Sequence, residues 1–498
     1  MEMNKKPFKL FLYASVILIW AGSLTYLFAS HHREFFQPSP ETETVQSNVS
    51  PVSEWMGLYM GHKKIGYDHE EILPSGTGFL FKTRMFMRIL LLGQEKEITT
   101  ISDTKTDNNY YIKSVDFSLK TSGMEIAATG IIDKNTLFLT LKGPGGQTKQ
   151  KIHLQEPPVS TDGIVMRIVR DGFSRSEYNF HTFDPTIQQE MPVQVKVEGK
   201  ETRKIMGSLV DTFKLHVKIK DMIETMWVTP QGETVEELSP LGFRSVLEPR
   251  SIALTKGWGG EPVDLIAATA IKAAGLPITY PAGVQRMDAY VTGISSTESI
   301  PSSDFQKQEG NLIIVSVPKN IGTYTLPYKH PSDLNGLSVE EDLGSDSLIN
   351  ANNPAIISKA RQIIHGETDA KKAAELLNDW VYTHVRSTFT VALPRSIDLL
   401  KNPQGDCKAH TILFTALARA IGIPAKMAMG VVLMPDGYFY YHAWPLIYLN
   451  GWVPVDPTLG EFPADATHIM LASGSLNNWM DILGVVGRIK INIMKVNY

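Results

Sequence analysis

The sequence predicts an α+β protein with an N-terminal transmembrane helix, a β-rich domain (sandwich or half-barrel), a small α+β linker domain and a C-terminal α+β domain. Three observations lead to this prediction: an uncharged apolar run near the N-terminus, short alternating runs over the first half, and helical periodicity followed by strands over the last third. At 498 residues the chain exceeds the size at which a single hydrophobic core stops growing. A formal net charge of −4, from 48 basic and 52 acidic residues, offers no basic field for nucleic acid, so we expect no nucleic-acid partner.

The predicted membrane helix covers residues 10–29, LFLYASVILIWAGSLTYLFA, which carry no charge and follow lysines at positions 5, 6 and 9. A helix of this length spans a bilayer core. By the positive-inside rule, residues 1–9 form a cytoplasmic tail. We therefore expect a single-pass signal anchor in the cytoplasmic (inner) membrane, with the bulk of the chain in the periplasm or outside the cell. A cleaved secretory signal is the alternative. The apolar stretch of such signals usually has about 7–15 residues, which is shorter than the run at residues 10–29.

Three segments lie between the anchor and the C-terminal domain. Residues 30–52 have the polar, Pro/Ser/Thr-rich composition of a disordered linker. Residues 53–254 contain alternating runs such as YYIKSVDFSLKTS and TFKLHVKIKD with turn residues between them, which predict a β-rich domain. Residues 255–345 form the predicted small α+β domain, in which the stretch EPVDLIAATAIKAAG has the period of a helix.

The C-terminal domain, residues 346–498, begins with helical patterns. One predicted helix runs from Ala355 to His365, with its isoleucines and Ala360 on one side. Thr368 can cap a second helix after Gly366, because threonine accepts hydrogen bonds from the amides of a first helical turn.

Cys407 is the only cysteine in the chain, so no internal disulfide can form. Asp406 precedes a long apolar-periodic run and predicts a helix N-cap, and Gly422 ends that helix. The thiol then stands at the first helical position, where unpaired N–H groups and the helix dipole favour a thiolate. The adjacent Asp406 carboxylate opposes this effect. A cysteine used only for packing is expected further along the apolar face, so the placement favours a reactive thiol over a buried structural one.

Three β-rich runs follow, with His442 on the second and Asp456 on the third. A thiol, an imidazole and a carboxylate supply a nucleophile, its base and the group that orients the base. The hairpin between the two strands tests this arrangement. A regular two-residue loop at Asn450-Gly451 would place His442 and Asp456 on opposite faces, because side chains alternate along a strand. A three-residue loop that pairs Tyr448 with Trp452, with Gly451 left-handed, or a bulge near Pro445, places them on one face.

The motifs GDCKAHTILFTALARAIGIPAK and YYHAWPLIYLNGWVPVDPT resemble the bacterial transglutaminase-like superfamily, a relative of papain-type thiol enzymes. The likeness covers roughly residues 347–473. It implies a papain-like fold in which Cys407 is the nucleophile, His442 the base and Asp456 the orienting group of a thiol enzyme. Animal-type transglutaminases carry Gln-Cys-Trp where this chain has Asp406-Cys407-Lys408, which argues against true protein cross-linking.

The expected activity is therefore cleavage of amide bonds in peptides or proteins of the cell envelope through a thioester acyl-enzyme, with cross-linking acyl transfer as the alternative. We expect no cofactor and no metal. Three accessory residues are candidates: Trp444 as a wall of the substrate cleft, His410 within the site, and Gln404 as an oxyanion donor. Two other classes remain open. A zinc site could use Cys407, His442 and Asp456, although no paired metal-binding motif supports it. A catalytically idle binding module built around the β-rich domain is the other.

Overall fold

The computed structural model describes residues 52–91, 94–121, 124–143, 146–184, 189–219, 222–239, 242–255, 263–294, 300–326, 342–388, 394–474 and 485–498. Within them, one compact unit ends at Leu265 and a second begins at Ile266.

The first unit is built on a single 14-stranded antiparallel sheet. Its strands are β1 (Val52–Met60), β2 (Lys63–Ser75), β3 (Gly78–Leu91), β4 (Gln94–Asp107), β5 (Ile112–Thr121), β6 (Met124–Asp133), β7 (Thr136–Gly143), β8 (Gly146–His153), β9 (Glu177–Asp184), β10 (Gln189–Ile205), β11 (Ser208–Ile219), β12 (Met222–Val228), β13 (Thr234–Leu238) and β14 (Phe243–Leu247). Their order in the sheet is β8-β7-β6-β5-β4-β3-β2-β1-β14-β13-β12-β11-β10-β9. One continuous sheet supports the half-barrel and not the two-sheet sandwich.

Period-two alternation forms this sheet, as the sequence predicts. Along β5 the side chains of Val115, Phe117 and Leu119 are buried. Helix α1 (Thr161–Arg170) adds Ile164 and Ile168 to the core. Its N-cap residue, Ser160, accepts a hydrogen bond from the Gly163 N–H at 3.2 Å.

The first unit also buries several carboxylates. Burial, together with the charge of Glu233, raises the pKa of Glu54 to about 8. Burial likewise raises the pKa of Asp68 and of Glu237 well above their ordinary values, and the two groups lie close enough for the charge of Glu237 to act on Asp68. These carboxyl groups therefore favour their protonated forms in the folded state.

The second unit contains two five-stranded sheets, one two-stranded sheet and a set of helices. Its strands are β15 (Ile271–Lys272), β16 (Ala274–Gly275), β17 (Arg286–Thr292), β18 (Gln306–Glu309), β19 (Leu312–Ser316), β20 (Arg386–Ser387), β21 (Gln404–Gly405), β22 (Ala425–Leu433), β23 (Tyr438–Tyr448), β24 (Trp452–Pro454), β25 (Ile469–Gly474) and β26 (Lys490–Asn497). One sheet has the order β15-β23-β22-β25, with β24 also pairing with β23, and the other has the order β16-β26-β17-β19-β18. Strands from residues 255–345 therefore share a sheet with β26, near the C-terminal end.

The remaining helices are α2 (Arg250–Ala253), α3 (Leu265–Thr269), a 3₁₀ turn (Pro281–Gly283), α4 (Pro354–Ile364), α5 (Ala370–His384), α6 (Ser396–Lys401) and α7 (Cys407–Ala420). The N-cap of α5 is Asp369, whose carboxylate accepts from the Lys372 N–H at 2.9 Å, and not the predicted Thr368. Helix α7 is buried from Cys407 to Arg419 and packs against α4, α5, α6, β22 and β23. Because it is enclosed on all sides, its polar side chains must find partners inside the protein.

The predicted α+β class is wrong, because strands make up 53% and helices 18% of the described residues. The physical reason is visible in the stretch EPVDLIAATAIKAAG, which has a helical period in the sequence. Only α3, five residues long, is helical there, and the short strands β15 and β16 follow it. Pairing with β23 and β26 overrides the helix propensity of the alanines.

The predicted transmembrane element and inner-membrane localisation are also contradicted. Among the described residues, no helix has both the length and the apolar character needed to cross a bilayer. The longest described helix, α5, has 15 residues, which is about 22 Å at 1.5 Å per residue against a hydrocarbon core of about 30 Å. The predicted span itself, residues 10–29, and most of the predicted linker lie outside the described residues.

Candidate active site

Cys407 is the first residue of α7, and its side chain is fully buried. The preceding Asp406 is the N-cap: its Oδ1 accepts from the Lys408 N–H at 2.9 Å, and its carbonyl accepts from the His410 N–H at 3.1 Å. The thiol therefore stands where the amide dipoles of a buried helix begin. The positive end of the helix dipole therefore lies at this residue.

Lys408 is a buried neighbour of both Asp406 and Cys407. Its side chain is fully buried, and its Nζ lies 3.6 Å from Asp406 Oδ2. Burial lowers the pKa of Lys408, while the charges of Asp406 and Cys407 act in the opposite direction. Lys408 and Asp406 thus form a buried pair of opposite formal charge beside the thiol. Sequence reasoning missed this pair, because a lysine next to a helix cap is ordinarily exposed.

His442 lies in the middle of β23 and is fully buried. Its Nε2 donates to Asp456 Oδ2 at 2.7 Å. Burial alone would lower the pKa of His442, but the charge of Asp456 and hydrogen bonds to Asp456 and to Cys407 more than offset it and raise the pKa to about 9. The imidazole is therefore stabilised in its protonated form between a carboxylate and the thiol.

The hairpin has the register that brings His442 and Asp456 together. Tyr448 pairs with Trp452, as the three-residue loop requires. The left-handed residue, however, is Asn450, with φ 57°, and not the predicted Gly451, whose φ is 156°. Asparagine is among the non-glycine residues that adopt this conformation most readily. Its side chain donates to the carbonyl of Thr323, which is distant in the sequence, at 3.2 Å.

Gly430 pairs with His442 across β22 and β23. A Cβ at this position would lie 1.9 Å from the Ile469 carbonyl oxygen and 2.9 Å from Trp444 Cη2. Only glycine therefore permits the backbone of β25 to lie this close to β22 at the position opposite the histidine.

Asp456 is held by four donors. Its Oδ1 accepts from the backbone N–H groups of Thr458 at 2.7 Å and Leu459 at 3.1 Å. Its Oδ2 faces the Nε2 atoms of His442 at 2.7 Å and His468 at 3.2 Å. Burial would raise the pKa of Asp456, but the two histidines hold it well below its usual range. The carboxylate is thus ionised and fixed in one orientation.

His468 was not predicted from the sequence. It lies next to the start of β25 and is almost fully buried. The only local sequence feature is Asp465, three residues earlier, and this spacing has no catalytic signature. The histidine reaches Asp456 through the fold alone.

The three accessory candidates lie in different surroundings. Trp444 is fully buried, and its ring centroid is 6.0 Å from that of His442 and 5.1 Å from that of His468. The Nδ1 of His410 is 2.8 Å from the Asp406 carbonyl and its Nε2 is 3.3 Å from the Val385 carbonyl, so backbone groups hold this ring. Gln404 lies on β21, and its Oε1 accepts from Arg386. Its role as an oxyanion donor remains a prediction.

Two groups of described side chains have the spacing of a metal site. They are His442 with Asp456 and His468, and Glu461 with Asp465 and His468. Neither includes Cys407, which the zinc alternative requires. In both groups the carboxylates already accept hydrogen bonds from backbone amides, for example Glu461 Oε2 from the Asp465 N–H at 3.0 Å. This donor set fits an ion-pair network better than a metal centre.

The chain is similar to several solved structures. A β-barrel-like protein of a domain of unknown function from Brucella abortus is 14% identical, with 40% of this chain and 95% of that chain covered and a TM-score of 0.33. A candidate cysteine protease from Cytophaga hutchinsonii is 12% identical, with coverages of 46% and 86% and a TM-score of 0.27. A candidate protease from Parabacteroides distasonis is 9% identical, with coverages of 69% and 69% and a TM-score of 0.18. At these TM-scores we draw no conclusion from the likenesses.

None of the curated proteins compared with the chain matches it. Residues 357–457, which include Cys407, His442 and Asp456, match the family model of the transglutaminase-like superfamily. Residues 357–457 of the chain therefore form a transglutaminase-like domain.

Proposed function

We propose that this chain is a cysteine-dependent amide hydrolase that acts on peptides or proteins, with Cys407 as nucleophile, His442 as general base and Asp456 as the group that orients His442. The observation that carries the proposal is the buried series of contacts from Asp456 through His442 to the only thiol of the chain. This order of carboxylate, imidazole and thiol supports the proposed roles.

The reaction follows from these contacts. The Cys407 thiolate attacks the carbonyl carbon of an amide, and the carbonyl electrons move to the oxygen. When the tetrahedral intermediate collapses, the C–N bond breaks, and the His442 imidazolium gives its proton to the leaving amine. The thioester is then attacked by water, which loses a proton to His442, and the acid and the thiolate are released. Throughout, Asp456 keeps the Nε2 proton of His442 in place, so that Nδ1 is the nitrogen that gives and takes protons beside the Cys407 sulfur.

One feature supports hydrolysis over cross-linking. The position after the nucleophile holds Lys408, where animal-type transglutaminases carry tryptophan. The lysine is buried and paired with Asp406, so it is part of the helix start. Water is therefore the acceptor that we propose for the thioester, with the Cys407 N–H as the oxyanion donor that the first helical position offers.

The sole cysteine makes the test direct, because any thiol adduct seen by intact-mass spectrometry must lie on Cys407. We expect the purified full chain to release amine from members of a fluorogenic peptide-amide library, and Cys407→Ala to release none. Iodoacetamide alkylation of Cys407 against pH should show an inflection well below the free-cysteine value of about 8.5. The matched control is His384→Gln, on the exposed end of α5, which should behave as wild type.

Two results would contradict the proposal. One is a single alkylation inflection at or above about pH 8.5, which would mean that no ion pair forms. The other is amine release that survives Cys407→Ala. Incorporation of an added primary alkylamine in place of hydrolysis would instead identify a cross-linking enzyme.

A further inference from the structure

His468 contacts the candidate active site from a part of the chain that the proposed mechanism does not use. Its Nε2 lies 3.2 Å from Asp456 Oδ2, the same oxygen that accepts from His442 at 2.7 Å. Its Nδ1 lies 3.2 Å from the carbonyl oxygen of Asp465 and 3.4 Å from Oδ1 of the same residue. Each ring nitrogen of His468 therefore faces an aspartate.

These neighbours determine the protonation state of the ring. The Asp465 carbonyl can only accept, so Nδ1 must carry a hydrogen. The Asp465 carboxylate already accepts from the Thr467 N–H and hydroxyl, both at 2.6 Å, and it is an acceptor as well. At the other end, Asp456 is an ionised acceptor, so Nε2 must also carry a hydrogen. A neutral imidazole has only one N–H. Only an imidazolium can therefore donate to Asp456 and to Asp465 at the same time.

We propose that His468 is a positioning residue: a doubly protonated histidine that shares the Asp456 carboxylate with His442 and sets how strongly that carboxylate acts on the catalytic histidine. This inference rests on the proposed function, because it concerns the same reacting thiol. His468 touches neither the sulfur nor a substrate in our mechanism. It acts only through Asp456.

The charges around His468 support this role. Asp456 and Asp465 face its two nitrogens, and Glu461 adds a third acidic group nearby. The His442 ring is the other titratable group beside it, with ring centroids 5.8 Å apart. Burial would lower the pKa of His468, but the hydrogen bonds to Asp456 and Asp465 raise it well above its ordinary value. The raised pKa and the two facing aspartates both favour the His468 cation.

The consequence for catalysis is a limit on the basicity of His442. A positive charge near His442 disfavours the His442 imidazolium, while Asp456 favours it. Removing the His468 charge should therefore move deprotonation of His442 to higher pH. A unit charge at 5.8 Å, at an effective dielectric constant of about 20, sets an upper bound of about 2 pH units on this change.

The test uses the full chain and the alkylation of its only thiol by iodoacetamide between pH 4 and about 11. Wild type should show two inflections, the lower for formation of the ion pair and the upper for loss of the His442 proton. His468→Gln keeps a hydrogen-bond donor but removes the charge, and it should move the upper inflection up, by no more than about 2 pH units. His468→Lys restores a cation, and it should return the inflection toward the wild-type value. His365→Asn, at an exposed left-handed helix end, is the control.

A purely structural role predicts a different result. The alkylation rate of His468→Gln would then fall by the same factor at every pH, with the upper inflection unmoved, and this would overturn the proposal. If His468→Gln does not fold, ¹⁵N NMR of the histidine rings in wild type decides: two protonated nitrogens up to about pH 8 support the proposal, and one refutes it. Failure of the proposed function looks different again, because wild type would then show one inflection at or above about pH 8.5 whatever the state of His468.

Discussion

Replacing Asp456 by asparagine should remove most of the reactivity of Cys407 while leaving the fold intact. The amide is isosteric and can still accept from the Thr458 and Leu459 N–H groups that now bind Oδ1. It carries no charge, however, so it no longer stabilises the His442 imidazolium. Its NH₂ group can also face the ring and favour the wrong tautomer.

The size of the effect can be worked from the pKa of His442, which is raised from 6.5 to about 9 against the effect of burial. At 1.36 kcal/mol per pH unit, this corresponds to roughly 3 kcal/mol of net stabilisation of the imidazolium. Asp456 is the largest of the causes that raise this pKa, ahead of Cys407, so the loss of its charge removes most of this stabilisation. We therefore expect the acylation rate to fall by about 100-fold, and by up to about 10⁴-fold if the tautomer is also wrong.

The assay is the rate of thioester formation with an activated acyl ester, followed by intact mass on the single cysteine. Asp379→Asn, on the exposed face of α5, is the matched control and should react as wild type does. The reasoning is refuted if Asp456→Asn acylates within twofold of wild type while Cys407→Ala is inert. Circular dichroism on each variant establishes that any loss is not a loss of fold.

Two further predictions concern buried charges. Lys408→Met removes the ammonium beside Asp406, and we expect the pH of half-maximal Cys407 alkylation to move upward; a midpoint unchanged or lowered would show that the lysine does not offset the carboxylate. The pKa of Glu54, raised to about 8 by burial, means that its contribution to stability is fully present below about pH 4.5 and is lost as the pH rises through 8. Calorimetry should therefore give a smaller fall in Tm from pH 5 to 8 for Glu54→Gln than for wild type. The exposed Glu125→Gln should leave that fall unchanged, and equal falls in all three proteins would rule out Glu54 as a source of the pH dependence.

The features predicted from the sequence are those that local periodicity and turn chemistry determine. Alternating runs identify the strands of the first unit, and the cap at Asp406 places the thiol at a helix start. Strand parity limits the hairpin to the register that the structure has, because a shift of one residue would move His442 to the other face.

The features that were missed depend on contacts between distant segments. His468 meets Asp456 only because β25 pairs with β22, which no local pattern reveals. Lys408 is buried only because α7 is enclosed by other elements on every side. The residues after α3 have a high helix propensity. They nevertheless form the strands β15 and β16, because they pair with β23 and β26.

The order of strands in the 14-stranded sheet has a consequence for how the first unit assembles. Strands β1–β8 follow one another as neighbours, and so do β9–β14, so each set can form through successive hairpins between residues close in sequence. The two meanders meet only at the seam between β1 and β14, where Met56 pairs with Leu247. Closing a loop of that length carries the largest entropy cost in the sheet. The half-barrel is therefore completed last at its centre, between its first and last strands, and a chain cut short before β14 would leave the central edge of β1 without its neighbour.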